Sequence, residues 1–356
     1  MTRLERLFEN LPEDVDSVLI TSDINRRYFS GMKSSAGTII AFRKKAYLII
    51  DFRYIEKARS TVKHLEVIEQ KNLIANVSEL LKKHNASNVA IESKTMTVNE
   101  LGIWKSNLKN TDVISTDMLS NEIEHLRAIK DSDELECIKK AQEIAEKAFD
   151  KILKFIKSGV TERQVELELN RLMFEEGAED ISFDTIVLSG KNTSMPHGVP
   201  SDKKIQNGEF VLMDFGAVYN GYHSDMTRTV CVGEPSDEMR KVYDIVLKAQ
   251  LSALEYARAG ITGSQLDSVA RKIISDAGYG DCFGHALGHS VGLEIHESPI
   301  SSPNSKTVLK AGNIMTVEPG IYIAGKFGVR IEDFVILNEN SCENLTKCAK
   351  NIIISK

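Results

Sequence analysis

The sequence predicts two domains, an α/β domain at the amino terminus followed by an α+β domain. Three observations support this prediction. The length of 356 residues exceeds that of one small domain. Strand-like and helix-like segments alternate in the first third of the chain, and they cluster in separate blocks in the remainder. The pattern changes near residue 125, so we expect one domain over residues 1–125 and another over residues 126–356.

The composition is that of an ordinary globular protein, with 42% hydrophobic and 27% charged residues. The 45 Lys and Arg residues against 51 Asp and Glu residues give a net charge of −6, which provides no overall attraction to nucleic acid or to an anionic membrane. No apolar run approaches the roughly 20 residues of a membrane helix, and the first residues lack an apolar signal region. We therefore expect a cytoplasmic protein without nucleic-acid or membrane partners.

Short β-rich segments alternate with amphipathic segments in the amino-terminal third. Residues 73–83 place apolar side chains at helical spacing. The segments with strand character are 17–21, 37–41, 46–50, 88–92 and 112–115. This alternation predicts a sheet covered by helices.

The carboxyl-terminal part opens with a charged helical stretch over residues 119–157. Ser132 or Asp133 is the predicted N-cap of a helix there, with Glu136 near the capping-box position. We expect helices around 134–157, 161–176, 236–258 and 263–277, and strands around 183–189, 209–230 and 314–338. Such blocks favour an α+β domain with a largely antiparallel sheet.

The strongest local signal is a hairpin in residues 211–229, VLMDFGAVYNGYHSDMTRT. Asn220–Gly221 at its centre is typical of a type I′ turn, because both central positions of that turn need a positive φ. With this loop, Asp214 lies opposite Thr227, and Asp225 lies two residues from Thr227 on the same strand. The two aspartates then project from one face of the sheet, roughly 7–8 Å apart at the backbone.

Two exposed, solvated aspartates are the plainer interpretation of this hairpin. However, Asp214 follows the apolar run 210–213, which predicts a buried position. Because burying an unpaired charge is costly, converging carboxylates need a positive charge between them. The pair Asp214 and Asp225 therefore predicts a divalent cation.

A second pair of carboxylates lies in residues 316–333, TVEPGIYIAGKFGVRIED. If 324–326 form a three-residue loop, Glu318 lies directly opposite Glu332. A two-residue loop would shift the register by one and put the glutamates on opposite faces. Like charges directly opposite each other destabilise a sheet without a counter-ion, so the first arrangement again predicts a metal.

Histidines are concentrated in the same half of the chain, since five of the eight lie between His197 and His296. Three fall within residues 285–297, HALGHSVGLEIHE, among glycines that permit close backbone approach. The segment lacks the His-Glu-x-x-His pattern of zinc proteases. Four carboxylates and an imidazole suit Mn²⁺ or Co²⁺. Two such ions balance the four negative charges, which favours a two-metal hydrolase.

These motifs resemble those of the methionine aminopeptidase, aminopeptidase P and prolidase family, whose catalytic domain has the pita-bread fold. In order they are MPHGVPS (195–201), DFGAVYNGYHSDMTRT (214–229), HALGHSVGLEIHE (285–297), VEPGIY (317–322) and GVRIED (328–333). LITSDINRRYFSG (19–31) and LIIDFRYIEKA (48–58) resemble the creatinase/prolidase amino-terminal domain. Ala286 and Ser290 stand where relatives usually have other small residues, often glycine.

The resemblance implies a role for each of these residues. The implied metal ligands are Asp214, Asp225, His289, Glu318 and Glu332. Among them, Asp225 and Glu332 resemble bridging carboxylates, and Glu318 resembles a ligand that also takes a proton. The implied catalytic histidines on the substrate side are His197 and His296, and the implied supporting or substrate-binding residues are His285, Arg330 and Tyr222. The implied cofactor is two divalent ions, Mn²⁺ first, with Co²⁺ or Zn²⁺ as alternatives.

The activity implied by the resemblance is hydrolysis of the bond between an amino-terminal residue and proline by a metal-bridging hydroxide. The enzyme would be a dipeptidase (prolidase) or an aminopeptidase P, acting on a peptide with proline at the second position, and it would form a homodimer. Two alternatives are a pita-bread protein that binds a partner without catalysis and a creatinase-like C–N hydrolase. The complete ligand set argues against both, because the former generally lacks it and the latter does not use the metals.

Overall fold

The computed structural model describes residues 1–351, 354 and 355. The chain divides into two compact units, Met1–Arg127 and Ala128–Lys356. Each unit has its own hydrophobic core. Among the described residues, no helix has both the length and the apolar composition needed to cross a bilayer.

The amino-terminal unit is built on one mixed sheet. Its strands are β1 Ser17–Ile20, β2 Thr38–Phe42, β3 Lys45–Ile50, β4 Glu66–Glu69, β5 Asn88–Ile91 and β6 Asp112–Ile114. Its helices are α1 Arg3–Asn10, α2 Asp23–Ser30, α3 Ile55–Thr61, α4 Leu73–Lys83, α5 Val98–Asn107 and α6 Met118–Ala128. The strand order is β4-β3-β2-β1-β5-β6, in which β1–β2 and β2–β3 are antiparallel and the other pairs are parallel.

The predicted α/β class of this unit is confirmed, together with its five predicted strands and the helix over 73–83. The sequence prediction missed β4 and the helices α1, α2, α3 and α5. Among these helices, α3 buries only Ala58 and α5 only Trp104, so they lack the apolar periodicity that reveals longer helices. Capping marks α5 instead, because Thr97 and Glu100 form a capping box at its start.

The carboxyl-terminal unit consists of long helices and short strands. Its helices are α7 Ser132–Ile152, α8 Glu162–Glu175, α9 Asp237–Tyr256 and α10 Gly263–Asp276. Its strands are β7 Asp180–Ile181, β8 Ile186–Ser189, β9 Glu209–Phe215, β10 Ala217–Tyr219, β11 Tyr222–His223, β12 Met226–Val232, β13 Gly288–Ser290, β14 Glu297–Ser301, β15 Ile314–Val317, β16 Gly320–Ile323, β17 Phe327–Arg330, β18 Asp333–Leu337, β19 Cys342–Asn344 and β20 Ile354–Ser355.

The strands of this unit pair mainly antiparallel, as predicted. The long hairpin β9–β12, with β8 beside β9, is antiparallel, and so are β13–β14, β15–β18 and β16–β17. Side chains of β9 alternate between two cores: Val211, Met213 and Phe215 pack with α7 and α8, whereas Phe210 packs with α9 and α10. The strands therefore lie between two pairs of helices, which gives the predicted α+β architecture.

The start of α7 differs from the prediction. Asp131 is the N-cap, and it forms a capping box with Glu134: each carboxylate accepts a hydrogen bond of 3.0 Å from the other residue's backbone N–H. The prediction of Ser132 or Asp133 with Glu136 was wrong. The helix ends at Ile152, earlier than predicted.

The first predicted hairpin has the expected register. Asn220 and Gly221 have φ values of 48° and 77°, as a type I′ turn requires. Tyr219 pairs with Tyr222, and the same register continues along β9 and β12, so that Asp214 pairs with Thr227. The turn at Asn220–Gly221 therefore predicts the correct pairing of Asp214 with Thr227, five residue pairs from Tyr219 and Tyr222.

The second hairpin also has the three-residue loop. Ile323 pairs with Phe327 in the β16–β17 ladder, and Val317 pairs with Asp333 in the β15–β18 ladder. Both ladders follow one register, and the interruption between them falls at the position where Glu318 and Glu332 lie opposite each other. The alternative two-residue loop is excluded.

Gly216 lies between β9 and β10, where an added Cβ would stand 1.9 Å from the carbonyl oxygen of Ser224. We expect Gly216→Ala to force the hairpin strands apart and to reduce the free energy of unfolding by about 1–3 kcal/mol. Gly284→Ala is the matched control, because a Cβ there meets no atom within 4 Å. Thermal unfolding of both variants tests this, and equal midpoints would contradict the close approach at Gly216.

Candidate metal centre

The two hairpins and the histidine segment meet at one cavity of about 270 Å³ in the carboxyl-terminal unit. Nine of the ten predicted site residues line it: His197, Asp214, Asp225, His285, His289, His296, Glu318, Arg330 and Glu332. Segments far apart in sequence therefore contribute polar groups to one cavity. The tenth predicted residue, Tyr222, is not among the lining residues.

The carboxylates form two overlapping groups. Asp214, Asp225 and Glu332 each place a carboxylate oxygen within 4.8 Å of the others. His289 Nε2 lies 3.6 Å from Asp225 Oδ2 and 3.5 Å from Glu318 Oε1. Asp225 belongs to both groups, so all five predicted ligands converge. Two ligands bound to one ion at about 2.1 Å each can lie up to about 4.2 Å apart, and the contacts of His289 fall within this limit.

His289 is oriented as a metal ligand. Its Nδ1 lies 3.0 Å from the carbonyl oxygen of Ser290 and donates to it, which leaves the Nε2 lone pair towards the carboxylates. Burial lowers the pKa of His289 to about 4, so the imidazole is neutral at physiological pH. A neutral lone pair gains nothing from facing carboxylate oxygens unless a cation lies between them.

Placing several charged carboxylates together in this cavity is electrostatically unfavourable. Burial raises the pKa of Asp225 and of Glu332 well above the ordinary range, and the charge of a neighbouring aspartate raises each further. Burial also raises the pKa of Glu318 from 4.5 to about 8. Arg330 lowers all three pKa values but does not cancel the effect of burial. Ionising the whole cluster therefore requires more positive charge than the protein supplies.

Two buried oxygen atoms identify the space for that charge. Asp214 Oδ2 accepts a hydrogen bond from Arg330, and Glu332 Oε2 accepts one from Thr227 Oγ1 at 2.7 Å. The other oxygen of each carboxylate, Asp214 Oδ1 and Glu332 Oε1, is buried and has no hydrogen-bond partner among the described residues. Each carboxylate is thus held by one oxygen and offers the second, and this oxygen-rich donor set fits divalent ions.

Arg330 organises the wall behind the carboxylates. Its guanidinium is 3% exposed and contacts Asp214, donates to Thr227 Oγ1 at 2.9 Å and donates to the hydroxyl of Tyr322 at 2.8 Å. His285 Nε2 lies 3.0 Å from the same hydroxyl. Burial lowers the pKa of His285 to about 4, so this imidazole is also neutral.

Sequence analysis missed three residues of this network. Tyr322 connects Arg330 to His285, Thr227 holds Glu332, and Thr316 Oγ1 donates to Glu318 Oε1 at 3.1 Å. A signal existed for Tyr322, which lies four residues after Glu318, because alternate residues of a strand share one face. The hairpin register predicts Thr227 opposite Asp214, but that pairing alone does not indicate a role for Thr227.

The remaining predicted residues differ in their surroundings. His197 and His296 are exposed residues of the cavity lining, and the rings of His296 and His289 are 4.5 Å apart. Tyr222 instead donates its hydroxyl to Glu134 of α7 at 3.0 Å. Its side chain therefore braces the hairpin against α7, and the supporting or substrate-binding role expected for Tyr222 stays a prediction.

The cavity combines carboxylates, a neutral imidazole whose lone pair faces them, and exposed histidines. This combination is typical of a metal-dependent hydrolase. The comparisons with known proteins agree. The model of metallopeptidase family M24 matches residues 136–339, and that of the creatinase/prolidase amino-terminal domain matches residues 3–129. The chain belongs to metallopeptidase family M24 and has the predicted creatinase/prolidase-type and pita-bread domains.

Relatives match the chain over almost its whole length. A protein named Xaa-Pro dipeptidase from Pyrococcus furiosus is 42% identical over 353 residues, which cover 99% of each chain. The solved structure of an Xaa-Pro dipeptidase from Bacillus anthracis is 42% identical, with a TM-score of 0.95 and coverage of 99% of this chain and 98% of that one. An X-Pro aminopeptidase from Thermotoga maritima MSB8 is 40% identical, with a TM-score of 0.91 and coverage of 96% and 97%.

The raised pKa of Glu318 predicts how the stability of the metal-free protein depends on pH. Between pH values of about 4.5 and about 8, the folded protein retains a proton that the unfolded chain releases, so the free energy of unfolding falls as pH rises. Saturating Mn²⁺ is expected to reverse this fall, because the ion binds the deprotonated carboxylates. Thermal midpoints of chelator-treated protein across this range, with and without Mn²⁺, test the prediction.

Glu318→Gln is the matched control for this measurement, since it removes the titrating group and keeps the side-chain shape. The metal-free variant should show a shallower dependence of thermal midpoint on pH. An identical slope in both proteins would show that the proton is held elsewhere.

Proposed function

We propose that this protein is a dinuclear metal exopeptidase that hydrolyses the peptide bond between an amino-terminal residue and proline. The observation that carries the proposal is the convergence of five candidate ligand groups, two of which offer buried oxygens that have no hydrogen-bond partner among the described residues. The names of the relatives, Xaa-Pro dipeptidase and X-Pro aminopeptidase, support the choice of bond.

The proposed ligands of the two ions are Asp214, Asp225, His289, Glu318 and Glu332. Asp225 and Glu332, the most buried of the carboxylates, are the proposed bridging groups. Mn²⁺ is the proposed ion, because oxygen donors dominate the set, and Co²⁺ or Zn²⁺ are alternatives. When bound, such ions supply a water that is acidic enough to attack at neutral pH, and they polarise the scissile carbonyl.

The protein groups position the reaction around these ions. Glu318 is the proposed proton acceptor, and the Thr316 hydroxyl orients it through Oε1. His197 and His296 are exposed lining residues, and their proposed role is to donate an imidazole N–H to the oxygen of the carbonyl under attack. Arg330 does not contact the substrate in this proposal but holds Asp214.

The walls of the cavity suit a proline ring. Phe183, Ile186 and Ile295 supply apolar lining beside the carboxylates. Proline after the scissile bond has no amide N–H. An apolar wall beside it therefore leaves no backbone donor unsatisfied. An ordinary residue at this position would bury an unsatisfied N–H, and this cost favours proline at the second position of the substrate.

The free α-amino group of the substrate fits the acidic end of the site and limits cleavage to the first peptide bond. Relatives with both names match, so the choice between a dipeptidase and an aminopeptidase P stays open in this proposal. The complete ligand set disfavours a non-catalytic binding protein and a creatinase-like C–N hydrolase. The homodimer and the cytoplasmic location stay predictions.

Asp225→Asn tests the metal centre. The variant removes one charge from the centre of the cluster, so we expect metal content to fall below two ions and Xaa-Pro turnover to fall by at least about 100-fold. The thermal midpoint of the metal-free variant should equal or exceed that of the parent, because the remaining carboxylates repel each other less. Elemental analysis, turnover and calorimetry provide the three measurements.

Asp276→Asn is the control, because this exposed aspartate pairs only with Lys272 at the surface among the contacts described. It should leave metal content and turnover unchanged. An Asp225→Asn protein that retains two tightly bound ions and full turnover would contradict the proposed role of Asp225.

A substrate panel tests the reaction. Purified protein loaded with Mn²⁺ is expected to cleave an Xaa-Pro dipeptide or an Xaa-Pro-Yaa tripeptide at least about 100-fold faster than the matched Xaa-Ala peptides. Comparing the dipeptide with the tripeptide separates a dipeptidase from an aminopeptidase P. No turnover of either proline peptide by protein that holds two ions would overturn the proposed function.

A further inference from the structure

A buried ion pair lies beside the cavity and takes no part in the proposed reaction. Lys130, just before α7, donates from Nζ to Glu297 Oε2 at 2.9 Å and to Ser290 Oγ at 3.3 Å. The side chains of Lys130 and Glu297 are 1% and 5% exposed. A buried ion pair often contributes little net stability, because desolvation offsets its attraction. Its location suggests another role.

The ion pair holds both ends of the loop between β13 and β14. Ser290 follows His289 and pairs with Glu297 across the β13–β14 ladder, at a shift of register between His289 and Ser290. Glu297 in turn follows His296. Lys130 therefore binds the residue after each of the two histidines whose rings stand 4.5 Å apart.

The Glu297 carboxylate also shapes the loop between the two strands. Its Oε1 accepts a hydrogen bond from the backbone N–H of Glu294 at 3.2 Å. A Cβ at Gly292 would stand 2.6 Å from both carboxylate oxygens, so the loop closes tightly around this group. Only glycine leaves room for the carboxylate there.

We infer that Lys130 and Glu297 form a positioning pair that sets the orientation of His289 towards the metal ions and of His296 towards the substrate. His289 depends on it directly, because its Nδ1 donates to the carbonyl of Ser290, whose hydroxyl Lys130 holds. A shift of that carbonyl turns Nε2 away from Asp225 and Glu318. This inference rests on the proposed metal centre, but its test does not require peptidase activity.

The hydroxyl of Ser290 gives this pair a partner that glycine could not provide. Its Oγ lies at the point where the buried ammonium group of Lys130 needs a second acceptor.

The test replaces the pair with an uncharged one in the full-length protein. In the double variant Lys130→Met with Glu297→Met, packing replaces the ion pair, so the fold is expected to survive. We expect the affinity for the more weakly bound Mn²⁺ ion to fall about 10- to 100-fold by titration calorimetry, with kcat reduced more than KM. At the same total Mn²⁺ concentration, the electron paramagnetic resonance signal of the coupled Mn²⁺ pair should be weaker in the variant than in the parent protein.

The matched control is the double variant Lys203→Met with Glu209→Met, which removes another Lys–Glu pair of the same unit, at 2.6 Å and 22% exposure of each side chain. It should leave Mn²⁺ affinity unchanged, whatever its thermal midpoint. If both double variants lower the thermal midpoint but retain parental Mn²⁺ affinity and kcat, the role of Lys130 and Glu297 is structural only and the inference is wrong.

Glu297→Gln decides the question if the first double variant does not fold. It keeps the shape of the side chain and removes its charge, so the same loss of Mn²⁺ affinity is expected, and parental affinity would overturn the inference. Failure of the parent to cleave Xaa-Pro peptides would instead refute the proposed function, because Mn²⁺ affinity is measured without substrate.

Discussion

Mutual repulsion among buried carboxylates is the constraint around which the carboxyl-terminal unit is built. Asp225, Glu318 and Glu332 all have raised pKa values because burial disfavours their charged forms, and each charge adds to the effect on its neighbours. Arg330 brings a single positive charge and is already bound to Asp214, Thr227 and Tyr322. Divalent ions supply charge of the required size, so metal binding and the stability of this unit are linked.

Backbone geometry brings the carboxylates together. Two tight loops, at Asn220–Gly221 and at residues 324–326, determine the registers that place the ligands on common faces. Close approaches at glycine preserve those registers near the site. At Gly320, for example, a Cβ would stand 2.5 Å from the Tyr322 hydroxyl, which receives the Arg330 hydrogen bond. Small residues are therefore needed where a supporting side chain, such as that of Tyr322, packs directly against the backbone.

Neighbouring polar groups hold three of the proposed ligands, Glu318, Glu332 and His289. Threonine hydroxyls hold Glu318 and Glu332 by one oxygen, and a backbone carbonyl holds His289 by Nδ1. Glu332 Oε1 has no hydrogen-bond partner among the described residues, and His289 Nε2 faces the carboxylates, so these donor atoms need little reorganisation to bind a metal. The proposed positioning pair of Lys130 and Glu297 extends the same arrangement one layer further from the cavity.

The sequence by itself determined the class of both domains and the register of the first hairpin, because strand alternation and turn chemistry are local properties. It left the loop length of the second hairpin open, and the choice of His289 among three histidines rested on the family resemblance. It misplaced the N-cap of α7 by one or two residues, and it missed short helices such as α5 that bury a single side chain. Only the tertiary structure decided that Tyr322 joins Arg330 to His285 and that Tyr222 faces Glu134. These contacts link elements far apart in sequence, and nothing in the local pattern determines which buried polar group will meet which partner.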